Sequence, residues 1–332
     1  MQDTIRTLCQ AFGPSGSERP VLEKIAEMVK PHVDELRYDV MGNLICRVGS
    51  GGRRLMFAAH ADEIGLACHY VDEAGFLRVT PLGGVYHQHL VGRRVEFADG
   101  TVGVIGLEGR GVEAGKHGWQ HLFVDIGAPD RAAAAKRVDI GDAACFTRPT
   151  VFQGDVVVSK ALDDRLGCAA LVETLRKLDG AAPNECHFVF TVQEEVGVRG
   201  ARTSAYGIDP EVAYAVDVTM SGDTPLCKPM PCELGKGVAL KMMDGGTVIP
   251  TSIRKLMIAT CEELGLPYQR EVLRGGTTDA FGIQFTKGGV PVGAVSIPTR
   301  YVHQPSETAH LEDYRGAVEL LTGLAKADHG GI

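Results

Sequence analysis

Seven residues, Cys186-His187-Phe188-Val189-Phe190-Thr191-Val192, are apolar or β-prone and run straight into Gln193-Glu194-Glu195-Val196-Gly197. So short an apolar run reads as a strand buried on both faces, at the centre of a helix-covered sheet. In open α/β sheets, ligands lie just beyond the carboxyl ends of the strands. The two glutamates stand at that edge. On this stretch alone a solvated strand end is the simpler reading. Four other segments that end a strand or begin a helix carry His or Asp in matching places, and they displace it.

A chain of 332 residues can bury a large core and divides naturally into one large domain and one small one. Its formal charge of -8, from 34 basic and 42 acidic residues, speaks against a nucleic-acid partner, because phosphate binding wants a basic surface. No apolar stretch approaches membrane-spanning length, so no membrane partner is expected. The opening Met1-Gln2-Asp3-Thr4-Ile5-Arg6 lacks the basic start and apolar core of a signal peptide. Nine cysteines occur without a Cys-x-x-Cys pair, which fits buried thiols in a reducing compartment. A cytoplasmic location is expected.

Along the chain, Ser17-Glu18-Arg19-Pro20 followed by Val21, Leu22, Ile25, Met28 and Val29 predicts an amphipathic helix capped near Ser17 and stopped by Pro31. Strands are predicted over 43–48 and 53–59, the second leading into His60-Ala61-Asp62-Glu63. From 71 to 157 the texture changes to short β-like runs and glycine turns. Ala98-Asp99-Gly100, set between Arg94-Val95-Glu96-Phe97 and Thr101-Val102-Gly103-Val104-Ile105, is a hairpin signal. Arg131 to Lys136 predicts one short helix. These features predict a small β-barrel-like domain over 71–157, inserted into an α/β domain made of 1–70 and 158–332. After it, Leu166, Cys168, Ala169, Leu171, Val172, Leu175 and Leu178 form a helical stripe. Strands follow at 186–192, 212–218, 238–242 and 290–297, with helices from Thr251 to Leu264 and from Leu311 to Leu324. Strands alternating with helices predict a mixed, mostly parallel sheet sandwiched by helices.

Five places then carry metal-competent side chains: His60 with Asp62, Asp163 with Asp164, Glu194 with Glu195, Asp217, and His303. Mixed imidazole and carboxylate donors suit zinc, cobalt or manganese, and the absence of paired cysteines points to an open, catalytic site. So many carboxylates fit two divalent ions sharing one bridging acid better than a single ion. Paired ions about 3.5–4 Å apart can activate a water and polarise a carbonyl together. Each residue also has a plainer role open to it. Asp163 could cap the following helix, and Asp217 could be an exposed strand end. His60-x-Asp62 would put both side chains on one strand face, where Asp62 could orient the imidazole. In a regular strand Glu194 and Glu195 would point oppositely. A turn at Gly197 would let one bind metal and the other hold a water.

The segments His60-Ala61-Asp62-Glu63-Ile64-Gly65, Lys160-Ala161-Leu162-Asp163-Asp164-Arg165-Leu166-Gly167, Gln193-Glu194-Glu195-Val196-Gly197, Ala215-Val216-Asp217-Val218 and Arg300-Tyr301-Val302-His303 resemble those of the cytosolic dinuclear metallo-aminopeptidases of the tetrahedral type. That family includes glutamyl aminopeptidases and members once labelled endoglucanases. The resemblance spans nearly the whole chain and carries several implications. Asp163 would bridge two metals, with His60 and Asp217 completing one site and Glu195 and His303 the other. Glu194 would be the general base and Asp62 would steady His60. The substrates would be short peptides. The small domain would serve assembly into a tetrahedral dodecamer. Because the insertion lies between His60 and Asp163, the small domain or its assembly partners are also expected to narrow access to the site. Gln304, and the run from Gly275 to Asp279, depart from the usual pattern. Two other readings compete: a glycoside hydrolase working through the glutamate pair, and a non-catalytic assembly stabilised by metal.

Overall fold

A computed structural model describes residues 1–109, 117–227 and 230–332. Two sheets organise them. The large one contains β1 (Glu35–Tyr38), β2 (Leu44–Val48), β3 (Arg54–His60), β10 (Val151–Gln153), β11 (Val156–Ser159), β12 (Glu185–Thr191), β13 (Val212–Met220), β14 (Val238–Met243), β15 (Tyr268–Val272), β16 (Val292–Arg300) and β17 (Glu307–His310). Its order is β1-β2-β12-β3-β13-β16-β17-β11-β10, with β14 and β15 attached beside β16. β12, β3, β13 and β16 run parallel, β1-β2 and β17-β11-β10 add antiparallel flanks, and β14, antiparallel to β16, carries β15 in parallel. This is the mixed α/β sheet expected from the alternation of strands and helices.

Helices α1 (Gln2–Gln10), α2 (Arg19–Val29), α4 (Leu162–Leu178), α5 (Arg199–Ile208), α6 (Thr251–Glu263), α7 (Asp279–Ile283) and α8 (Leu311–Lys326) surround it, while α3 (Arg131–Ala134) lies in the insertion. Every residue of β13 except Met220 is buried, which requires cover on both faces of the sheet. At its centre Phe57 stacks on Phe188 and on Tyr214, with centroids 5.0 and 5.4 Å apart. Burying such rings dominates the apolar contribution of the core.

The insertion is a closed barrel of β4 (Gly65–Val71), β5 (Leu77–Leu82), β8 (Leu122–Asp125), β7 (Val102–Leu107), β6 (Arg94–Phe97) and β9 (Ala143–Phe146). It has its own apolar core, including Leu66, Val79, Val95, Ile105, Val124 and Phe146. The hairpin between β6 and β7 forms as predicted, with Gly100 at φ +84 and Asp99 accepting the Thr101 amide.

Local expectations change in two places. The barrel strands run from Gly65 to Phe146, while β10 and β11 join the large sheet through β17, so the change of texture at 71 and 157 misplaces the crossings by several residues. β4 follows β3 after only four residues and pairs with β9, a long-range choice with no local signal. Ser17 does not cap α2. The cap position is Glu18, whose carboxylate is turned to the Gly16 and Gln193 amides instead.

Candidate metal centre

The parallel strands bring the site together by register. His60, the last residue of β3, lies level with Thr191 of β12. Two residues beyond the Ala215–Ala58 pair, Asp217 on β13 reaches the same level. Glu194 and Glu195 follow Thr191 in a turn, with Gln193 at φ +57 and Gly197 at φ +123. That turn releases the pair from the opposite-face alternation of a strand. His303 comes from the loop between β16 and β17, also with a left-handed backbone, at φ +63. A non-glycine residue stays in that region only when its surroundings over-determine it. Here the Glu307 carboxylate accepts the His303 amide at 3.0 Å.

Asp163 stands between the two imidazoles. Its Oδ1 is 3.0 Å from His60 Nε2, and its Oδ2 is 3.3 Å from His303 Nε2. His303 Nε2 lies 3.4 Å from Glu195 Oε2, and His60 Nε2 lies 3.8 Å from Asp217 Oδ1 and 4.0 Å from Glu194 Oε2. Donor atoms of His60, Asp163 and Glu195 all fall within 4.8 Å of one another, as do those of His60, Asp164 and Asp217. All five expected ligands and Glu194 therefore gather around one point.

The helix-capping alternative for Asp163 falls to its neighbour. Asp163 and Asp164 have non-helical backbone at the start of α4, and Asp164 accepts the Gly167 amide at 3.0 Å and the His60 amide at 3.2 Å. Asp62 also differs from expectation. β3 ends at His60, so the two side chains do not share a strand face. His60 Nδ1 instead lies 3.1 Å from the Asp62 carbonyl and 3.5 Å from its carboxylate. That carboxylate mainly accepts the Glu194 and Glu195 amides, at 2.9 and 3.1 Å, and the Ser15 hydroxyl, at 2.6 Å.

Sequence reasoning missed Glu307, whose two oxygens accept the Asp163 and His303 amides. It sits on a four-residue polar strand with no periodic signature. Asp279, bonded to the Thr191 hydroxyl at 2.5 Å, was missed too. It opens α7, only five residues long and therefore without a helical pattern to find.

Electrostatics favour cations here. Burial, and then the Asp163 charge, push the Glu195 carboxyl up to about 7. Burial likewise lifts Glu194 and Asp217 well above the ordinary carboxylate range. For His303, burial opposes the charged ring, but Asp163 and Glu195 outweigh it and raise the imidazole to about 10. Glu195 Oε1 is buried with no hydrogen-bond partner. Buried oxygens without donors are costly unless a cation meets them. An orphaned carboxylate oxygen amid acids and neutralisable imidazoles fits hard-to-borderline divalent metals.

These groups floor a cavity of about 1000 Å³. One wall, formed by Tyr86, belongs to the barrel. The loop leading to Tyr86 presses on two of these side chains. A Cβ on Gly83 would fall 3.0 Å from Glu195 Oε2, and one on Gly84 only 2.4 Å from His303 Nδ1. Two glycines thus let the inserted domain lie directly against the site.

A mixed α/β sheet with clustered His and carboxylate donors at its carboxyl edge defines the class: a metal-dependent hydrolase. The M42 glutamyl aminopeptidase family matches residues 42–320, and the chain belongs to that family. A relative in Acetivibrio thermocellus is 45% identical over 321 residues, covering 97% of each chain. The lysyl aminopeptidase of Pyrococcus furiosus is 32% identical, over 97% of this chain and 96% of its own. An aminopeptidase from the archaeon Desulfurococcus kamchatkensis superposes with a TM-score of 0.93 at 39% identity, over 98% of this chain and 94% of the other. The TET1 peptidase of Pyrococcus horikoshii, which can assemble into a tetrahedron or a large octahedral shell, has a TM-score of 0.89 at 32% identity, over 98% of this chain and 99% of the other. The protein is an aminopeptidase, and the glycoside-hydrolase and non-catalytic readings give way.

Proposed function

We propose that the enzyme holds two divalent ions and removes N-terminal residues from short peptides, with Asp163 shared between the ions. His60 and Asp217 complete one site, and Glu195 and His303 the other. The observation that carries this assignment is the place of Asp163, with one carboxylate oxygen toward each imidazole at 3.0 and 3.3 Å. Bound ions would supply Lewis acidity toward the scissile carbonyl and a more acidic water.

The chain's own groups supply the rest. Glu194 takes a proton as the water oxygen bonds to the carbonyl carbon. It gives that proton to the departing amine as the C–N bond breaks. Asp62 holds the Glu194 and Glu195 amides and receives His60 Nδ1 at its carbonyl. A carboxylate-lined cleft also suits the protonated α-amino group that marks a peptide's N-terminus.

The barrel, whose loop forms a wall of the cleft, is read as the assembly and access domain. The TET1 neighbour, seen as a dodecamer and able to assemble into a tetrahedron, supports a homo-oligomer. Nine free cysteines, eight of them buried, support a reducing, cytoplasmic setting. Among the described residues, no helix is long and apolar enough to cross a membrane.

The test is a panel of aminoacyl-p-nitroanilides assayed with chelated enzyme, then with zinc, cobalt or manganese restored singly. Turnover that survives complete chelation, or metal analysis giving one ion per chain at full activity, would reject the dinuclear assignment.

A further inference from the structure

Beyond β12 the backbone holding the two glutamates lies outside any regular ladder, and Gln193 adopts a left-handed conformation. Three successive amides there are held by two buried carboxylates. The Gln193 amide donates to Glu18 Oε1 at 3.1 Å, the Glu194 amide to Asp62 Oδ1 at 2.9 Å, and the Glu195 amide to Asp62 Oδ2 at 3.1 Å.

Both carboxylates are fixed from one place, the segment from Gly13 to Glu18 that joins α1 to α2. Ser15 donates its hydroxyl to Asp62 Oδ2 at 2.6 Å, and Glu18 Oε1 also accepts the Gly16 amide at 2.7 Å. Ser15 is 8% exposed, Glu18 5% and Asp62 0%. The segment is itself pinned. The Gly13 carbonyl accepts the Glu63 amide at 3.0 Å and Arg165 Nη2 at 3.2 Å. Arg165 Nη1 reaches the Leu8 and Ala11 carbonyls, and Glu63 receives Lys160 at 2.6 Å.

We propose that Ser15 and Glu18 are positioning residues for the turnover step, holding the Gln193–Glu195 backbone so that the Glu194 carboxylate meets the attacking water. The inference rests on the reading of Glu194 as the base. Charge-assisted bonds to backbone amides are stronger than neutral ones and fix direction as well as distance. Glu195 is additionally held by its contact with His303, whereas Glu194 depends on the backbone bracket and its distant approach to His60. Loosening the bracket therefore acts on proton transfer before it acts on metal binding.

Glu18→Ala should lower kcat about 10²-fold, the penalty of a misplacement near 1 Å, with KM and metal content unchanged. Glu18→Gln keeps an oxygen that accepts both amides and should recover most of the loss. Ser15→Ala should cost roughly tenfold, and Ser15→Thr should restore it. The deciding comparison is Glu18→Ala in a Glu194→Gln background, where no further loss of kcat is expected because groups acting as a unit are not additive. An equal proportional loss in that background marks a general structural role and overturns the proposal. So does wild-type kcat in Glu18→Ala while Glu194→Gln is inactive. Undiminished turnover in Glu194→Gln instead removes the base reading, and the proposal with it. If Glu18→Ala does not fold, the Ser15 pair carries the same comparison.

Discussion

The barrel and the α/β body bury different things. Between Gly65 and Phe146, no carboxylate is buried among the described residues. The body buries Asp62, Asp163, Asp164, Asp217, Asp279 and Glu307 around one site, Glu18 on the neighbouring Gln193 amide, Glu63 locked to Lys160 and Arg165, and Asp244, Glu271 and Asp313 besides. The barrel is held by apolar packing in which volume is the main constraint. At the body's carboxyl edge many of these acids are met by amides, hydroxyls and imidazoles, but Glu195 Oε1 has no donor, a desolvation cost that a bound cation would offset. Buried charge, more than sheet architecture, separates the part that keeps shape from the part that does chemistry.

The sharpest way to break this contrast is Glu194→Gln, which should lower kcat about 10³-fold while metal content stays unchanged. Loss of metal along with activity would make Glu194 a ligand instead. Next is Gly84→Ala, a change on the barrel side felt by the body. Its new methyl would meet the His303 ring at 2.4 Å, and metal affinity should fall about 10- to 100-fold. Unchanged affinity in a metal titration would mean the loop yields freely.

The chelated protein offers a third comparison. In the fold Glu195 is raised to about 7 from an ordinary 4.5, so it keeps its proton where the unfolded chain has lost it. Its contribution to stability is full below about pH 4.5 and disappears as pH rises through 7. Thermal unfolding of chelated enzyme should therefore move down by a few degrees across that interval, and restored metal should flatten the profile. A pH-independent midpoint without metal would contradict the assignment of that burial cost. Smallest in its effect on catalysis is Val124→Ala in the barrel core, where the side chain is fully buried. It should cost about 2 kcal/mol in denaturant unfolding and leave KM and kcat of the folded enzyme unchanged. A changed kcat would show that barrel packing is transmitted to the site.

Much of this was legible because local pattern and final burial agree. The run at 186–192 became the central strand β12, and the five metal-competent segments converged because parallel strands end at one edge. The barrel was visible as a loss of helical periodicity between turns. What escaped was decided by distant partners. Asp164, and not Asp163, caps α4, because the choice depends on where the His60 amide lies. Glu307 gave no signal, since it acts on the Asp163 and His303 amides and its own ladder partner, Ser159, lies far back in the chain. Asp62 was singled out for a bond to His60, whereas its carboxylate lies closer to the Glu194 and Glu195 amides.

The glycine pair at 83–84 has a practical corollary for anyone recombining these enzymes. Cutting at the natural seams, near Gly65 and Phe146, does not exchange a neutral module, because the transplanted piece brings part of the reaction chamber with it. A chimera whose donor loop carries any side chain opposite His303 would arrive with its imidazole displaced, however well both halves fold. Grafts should therefore keep the recipient's Gly83-Gly84-Val85-Tyr86 and exchange only the strands around it.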